Sequence, residues 1–187
     1  MKLNEMLLPE FDEEMVITRK FLARVPDDKF GWKPHEKSMT LGALAAHLAE
    51  TPGWTVPTVE QDSLDLAPPG GPPFQPTKTS SCQETLALFD RNIAAARNTI
   101  AKAKDQELLK PWSLLMGGQV IFTLLRIGVL CSMVMNHMIH HCLLPVQWRA
   151  RARNIRALGG RSMRAVLLES QSRPVNAGLL QEVHLLE

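Results

Sequence analysis

The sequence predicts an all-α fold, a four-helix bundle with one long crossover loop. Four segments repeat their apolar residues at helical spacing, a proline- and glycine-rich stretch separates the second from the third, and strand-like alternation is scarce. Of the 187 residues, 45% are hydrophobic and 21% charged, a balance that argues against disorder and allows one domain with a real core.

Residues 3–25 form the first predicted helix. At about 100° per residue, Leu7, Leu8, Phe11, Met15, Thr18, Leu22 and Val25 share one stripe, with Asp12, Glu13, Arg19 and Lys20 outside it. Pro26 ends the helix. The stretch "DDKFGWKPHEKS" carries Gly31 and Pro34 as breakers and reads as a loop. Ser38 or Thr40 caps the second helix, "MTLGALAAHLAET", whose core stripe is Leu41, Leu44, Ala45 and Leu48 and which Pro52-Gly53 ends. Residues 55–80 are rich in proline, glycine and threonine ("LAPPGGPPFQPTKTSS") and read as a lid or crossover, the usual roles of so long a loop, with a mobile linker as the alternative.

Ser81 and Glu84 have capping-box spacing and start the third helix, with Leu86, Phe89, Ile93 and Ile100 as its stripe. In "LLKPWSLLMGGQVIFTLLR", Gly117-Gly118 is a turn between two apolar runs, which suits a small hairpin or an irregular excursion. A fourth helix is expected from about residue 123 to at least 144.

Composition narrows the function. A net charge of +2 is too small to make nucleic acid the main partner. Cys82, Cys131 and Cys142 are far apart and form no CxxC pair, which favours a reducing compartment, the cytoplasm, over a disulfide framework. The opening residues turn acidic within ten positions, unlike a signal peptide. "VIFTLLRIGVLCSMVM" is apolar but interrupted by Arg126 and too short for a membrane span, which takes about 20 residues.

The chemistry concentrates in "NHMIHHCLLP", residues 136–145. His137 and His141 fall inside the predicted buried stripe of the fourth helix, together with Leu130, Met133, Val134 and Leu144. His140 lies near its edge. An i, i+4 pair sets two imidazoles side by side, where they can share one cation. Alternatively, each ring finds a carbonyl or carboxylate partner. His47, on the shoulder of the second helix's stripe, is a third candidate and completes a three-histidine site with an open position, the pattern of catalytic metals. Glu50, one turn on, suits a fourth ligand, an acceptor for a ring N–H or a proton relay. His35 follows Pro34 in a loop and is expected to face solvent; His184, near the end of the sequence, has no assigned role. Cys142 is close but should point away from the pair.

The segments "FGWKPHEKSMTLGALAAHLAETPGW" and "LCSMVMNHMIHH" resemble the DinB-like (DNA-damage-inducible) proteins of the bacterial thiol-dependent metalloenzyme superfamily, over about residues 3–141. The resemblance implies an up-down-down-up bundle, often a homodimer, with His47, His137 and His141 as ligands of a divalent metal. It also implies a low-molecular-weight thiol as co-substrate in some relatives. Three imidazoles suit zinc or nickel first, with iron, manganese or copper as further choices. The expected function is a metal-dependent enzyme, a thiol transferase or hydrolase, acting on a small electrophilic substrate with Glu50 as the catalytic carboxylate and Trp32, Trp54 and the proline-rich loop lining the pocket. One rival is a non-catalytic stress-response protein whose metal stabilises the bundle. A weaker one is a nucleic-acid-binding module.

After His141 the sequence departs from the family pattern. Pro145 cannot donate to the His141 carbonyl, so the helix is expected to kink or end there. Residues 149–164 hold six arginines and no acid. We therefore divide the chain into a bundle, 1–148, and an atypical arginine-rich tail, 149–187. A reading-frame change relative to the family would explain the shift; the other two frames of the gene beyond codon 141 test this.

Overall fold

The computed structural model describes residues 2–142. The expectations for Leu144, Pro145, the arginine-rich segment and His184 lie outside those residues.

The first helix, α1 (Leu3–Leu22), buries Leu7, Phe11, Met15, Thr18 and Leu22, as its spacing requires. It stops three residues before the predicted end. Turn hydrogen bonds from Arg24 to Phe21 and from Val25 to Leu22 still carry Val25 into the core. Helix α2 (Leu41–Glu50) starts at Thr40, whose hydroxyl accepts from the Ala43 N–H at 3.1 Å. Pro52 does not end the helical path. The chain tightens into a 3₁₀ turn, Thr51–Trp54, and resumes as α3 (Thr55–Glu60). A proline in a first turn forgoes only an N–H that would lack a helical partner anyway. The predicted 55–80 loop is thus helical in its first part. It then supplies a short strand, β1 (Ser63–Asp65), before the proline-rich segment.

Helix α4 (Cys82–Lys102) is capped by Ser81, whose hydroxyl accepts from the Glu84 N–H at 3.1 Å. Glu84 closes the reciprocal bond one residue early, on the Ser80 N–H and hydroxyl. A short α5 (Asp105–Leu108) leads into β2 (Pro111–Met116) and β3 (Gln119–Leu125).

The all-α expectation holds broadly: the fold is mostly helical, to which the structure adds a small three-stranded sheet of order β1-β2-β3, β1 parallel and β3 antiparallel to β2. The hairpin was legible from Gly117-Gly118, whose φ values of 62° and 79° suit glycine. The parallel strand β1 was not, because three residues carry too little alternation to recognise. Its Asp65 carboxylate accepts from the N–H groups of Gly117 (3.0 Å) and Gly118 (2.7 Å), tying the hairpin turn to β1. Leu66, Trp112, Leu114 and Val129 form a small core between the sheet and the last helix.

Side-chain pairs give the helix directions. Arg19 grips Asp90 and Arg97 grips Asp12, each through two hydrogen bonds of 2.7–2.9 Å, so α1 and α4 run antiparallel. Asn92 bonds the Ala49 carbonyl and Thr99 reaches Glu60, so the α2–α3 path runs parallel to α4.

Candidate metal centre

The last helix begins at Arg126, not near residue 123, because β3 occupies the intervening residues. It comprises α6 (Arg126–Val129), a π-helical stretch (Leu130–Asn136) and helical residues 137–142. Arg126, which interrupts the apolar run in sequence, is 3% exposed. Its guanidinium donates to the carbonyls of Val59 (2.8 Å) and Gln61 (2.9 Å) and to Asp62 (2.8 Å) and Glu107 (3.2 Å). A cation there also suits the negative C-terminal end of α3. This anchors the start of the helix beside α3 and, because His137 lies beside His47, makes it antiparallel to the α2–α3 path.

Bonding to the fifth residue on takes more residues per turn than α-helix, so the π-stretch shifts the helical phase of the residues beyond it. Met135 and Met138, outside the predicted stripe, are buried at 4% and 1%. Met133 and His137, predicted inside it, are half-buried. His141 keeps its predicted place, 5% exposed.

Across from the pair stands His47 on α2. His47 Nε2 and His137 Nε2 are 2.8 Å apart. The ring centres lie 5.1 Å (His47–His137), 4.9 Å (His47–His141) and 4.3 Å (His137–His141) apart, with rings near perpendicular. One nitrogen from each histidine falls within 4.8 Å of the others. Two facing Nε2 atoms this close must share either a proton or a cation.

Imidazole nitrogens around a tetrahedral zinc, at 2.0–2.1 Å from the ion, sit about 3.3 Å from one another. Small adjustments of the side chains therefore suffice, and the three-histidine group can hold a metal ion. Electrostatics agree. Burial, then the neighbouring His47 and His140 rings, push the His137 pKa down to about 4, so at neutral pH it offers a lone pair.

The remaining predicted residues are dispersed around this cluster. Glu50, half-buried, turns its carboxylate to Thr77 in the proline-rich segment, accepting from the Thr77 N–H (3.2 Å) and hydroxyl. His140 is exposed, its ring 5.4 Å from that of His141. Cys142 points to α1, its sulfur 3.6 Å from the Thr18 hydroxyl, and is outside the cluster, as the helical step predicted. His35 is exposed, its Nδ1 accepting from the Lys37 N–H. Trp54 stacks edge-on with Phe74 of the proline-rich segment at 5.7 Å, and Trp32 is 46% exposed. Thr77 and Phe74 went unremarked in sequence; nothing in a proline-rich loop marks which residues will touch a helix. No helix among the described residues is long and apolar enough to cross a membrane.

No curated protein and no solved structure matches the chain. A family model described as the DinB superfamily matches residues 10–144, which include α2, the last helix and all three clustered histidines. The chain belongs to the DinB superfamily.

Proposed function

We propose that this protein is a divalent-metal-dependent enzyme acting on a small electrophilic substrate, by thiol transfer or hydrolysis, through His47, His137 and His141. The observation that carries the reading is the convergence of three imidazole nitrogens within 4.8 Å from two separate helical segments. The ion is zinc or nickel, ahead of iron, manganese or copper; the co-substrate in the transfer reading is a low-molecular-weight thiol.

When bound, such a cation supplies Lewis acidity that brings the pKa of a water or thiol down toward ~7. The chain does the rest. Three neutral imidazoles leave the cation's full charge in place and coordination positions open. Half-burial of His47 and His137 leaves the centre a way to its substrate. Glu50, one turn from His47, is in this reading the carboxylate that orients a ligand or relays a proton once it leaves Thr77. Trp54 and the proline-rich segment form one wall. In this reading the helices make an up-down-down-up four-helix bundle, the protein is a cytoplasmic homodimer, and the chain divides at residue 148.

A second reading, a non-catalytic metal-binding stress protein, draws on Glu50, whose carboxylate is held by Thr77. Elemental analysis of protein purified without a histidine tag should find about one metal ion per chain in both readings. Turnover of a thiol with an electrophile, lost in His137→Ala with the fold intact by circular dichroism, selects the enzyme. Metal without turnover selects the second reading, and absence of metal removes both.

A further inference from the structure

The proline-rich segment is tied to one face of α2 at successive turns. His47, Glu50 and Trp54 succeed one another at helical spacing, three and then four residues apart, so all three lie on one side of the α2 path. Phe74 packs on Trp54. Thr77, three residues later, bonds Glu50 through both its N–H and its hydroxyl. The segment therefore advances along this face toward the turn that carries His47. Its ends are fixed independently, by the Phe74 N–H on the Leu66 carbonyl and by Ser80 on Glu84.

We propose that Thr77 is a positioning residue: its clasp on Glu50 turns that carboxylate away from the three-histidine centre and holds residues 66–80 as a strap beside it. On a helix, side chains three apart have their Cβ atoms about 5–6 Å from each other. A change of Glu50 rotamer is then enough to bring its oxygens to the ion side of His47. The clasp keeps the carboxylate on the strap, and opening the strap delivers it to the centre. A carboxylate joining three imidazoles adds negative charge to the cation's surroundings, so the clasp sets the electrophilicity of the centre as well as access to it. This inference rests on the metal-binding reading of His47, His137 and His141.

Cobalt(II) alone is the probe, loaded into the full chain and read by its visible absorption. Thr77→Val removes the hydroxyl at nearly constant volume on an exposed loop. The expected result is a changed spectrum in Thr77→Val, the parent spectrum in Thr77→Ser, and the parent spectrum again in Thr77→Val combined with Glu50→Gln. In parallel, trypsin should cut the Lys78–Thr79 bond about tenfold faster in Thr77→Val, the population change expected from losing one charge-assisted hydrogen bond. Unchanged spectrum and unchanged cleavage overturn the proposal while leaving the metal centre standing. A changed spectrum that persists in the double variant also overturns it, because Glu50 is then not the group delivered. If the parent binds no cobalt, the metal reading fails on its own, and the Lys78–Thr79 cleavage rate alone decides whether the clasp holds the strap.

Discussion

The last helix buries a basic side chain near each end, and the two ends solve the same problem in opposite ways. Arg126 keeps its charge, because two carbonyls and two carboxylates receive its guanidinium. At the other end, His137 and His141 face His47 in a cluster of three imidazoles among the described residues. There burial and neighbouring rings remove the proton from His137. A guanidinium cannot give up its proton in a protein and must be surrounded by acceptors. An imidazole can, and then presents a lone pair. With one nitrogen of each of the three histidines within 4.8 Å of the others, the group can hold a cation. One end of the helix is therefore built for stability, and the other carries a histidine group that can hold a metal ion.

The largest test of that contrast is metal addition. Free zinc at a thousand times its Kd should raise the unfolding free energy of the chelator-treated protein by about 4 kcal/mol. His137→Ala should show no comparable gain in the same urea titration. Equal gains in both proteins would mean that the ion binds elsewhere and would break the comparison. Next in size is Arg126→Met, expected to cost about 3 kcal/mol by stranding the carbonyls of Val59 and Gln61. The loss should be equal with and without metal; a loss confined to the metal-loaded form would make Arg126 part of the centre.

The smallest effect sharpens the contrast from outside, at the surface between α1 and α4. Hydrogen bonding to Arg19 holds the Asp90 carboxyl below its ordinary pKa. A depressed carboxyl pKa gives stability that is fully present above the unfolded value, about 3.9, and fades as pH falls through the folded one. Asp90→Asn should therefore lower the urea midpoint slightly at pH 7, far less than Arg126→Met, and should match the parent in strong acid. A neutral-pH loss as large as that of Arg126→Met would show that exposed and buried arginines stabilise this fold alike.

Much of the molecule was legible because helices announce themselves. The α1 stripe, the Thr40 and Ser81 caps and the Gly117-Gly118 turn depend on residues near one another in sequence, and all appear where expected. The three histidines were legible for the same reason: His137 and His141 share a helix face by spacing alone, and His47 sits on the shoulder of another. What escaped was β1, whose partner strand lies some 50 residues away in sequence, and the π-stretch, which moved Met135 and Met138 to the buried side. The hold of Thr77 on Glu50 escaped too, since a hydroxyl in a proline-rich loop carries no periodicity.

By itself, then, the sequence determined α1, α2 and α4, the Thr40 and Ser81 caps, the hairpin turn and the identity of the three imidazoles. These come from backbone propensity and from contacts within a few residues. Only the tertiary structure decided that His47 Nε2 and His137 Nε2 meet at 2.8 Å, that Arg126 would be buried with both terminal guanidinium nitrogens on acceptors, and that Glu50 would face the strap. Each of these joins groups about 20 to 90 residues apart in sequence. Such a meeting depends on how whole elements pack, because distances of that kind are set by the burial of apolar faces against one another and by no local rule along the chain.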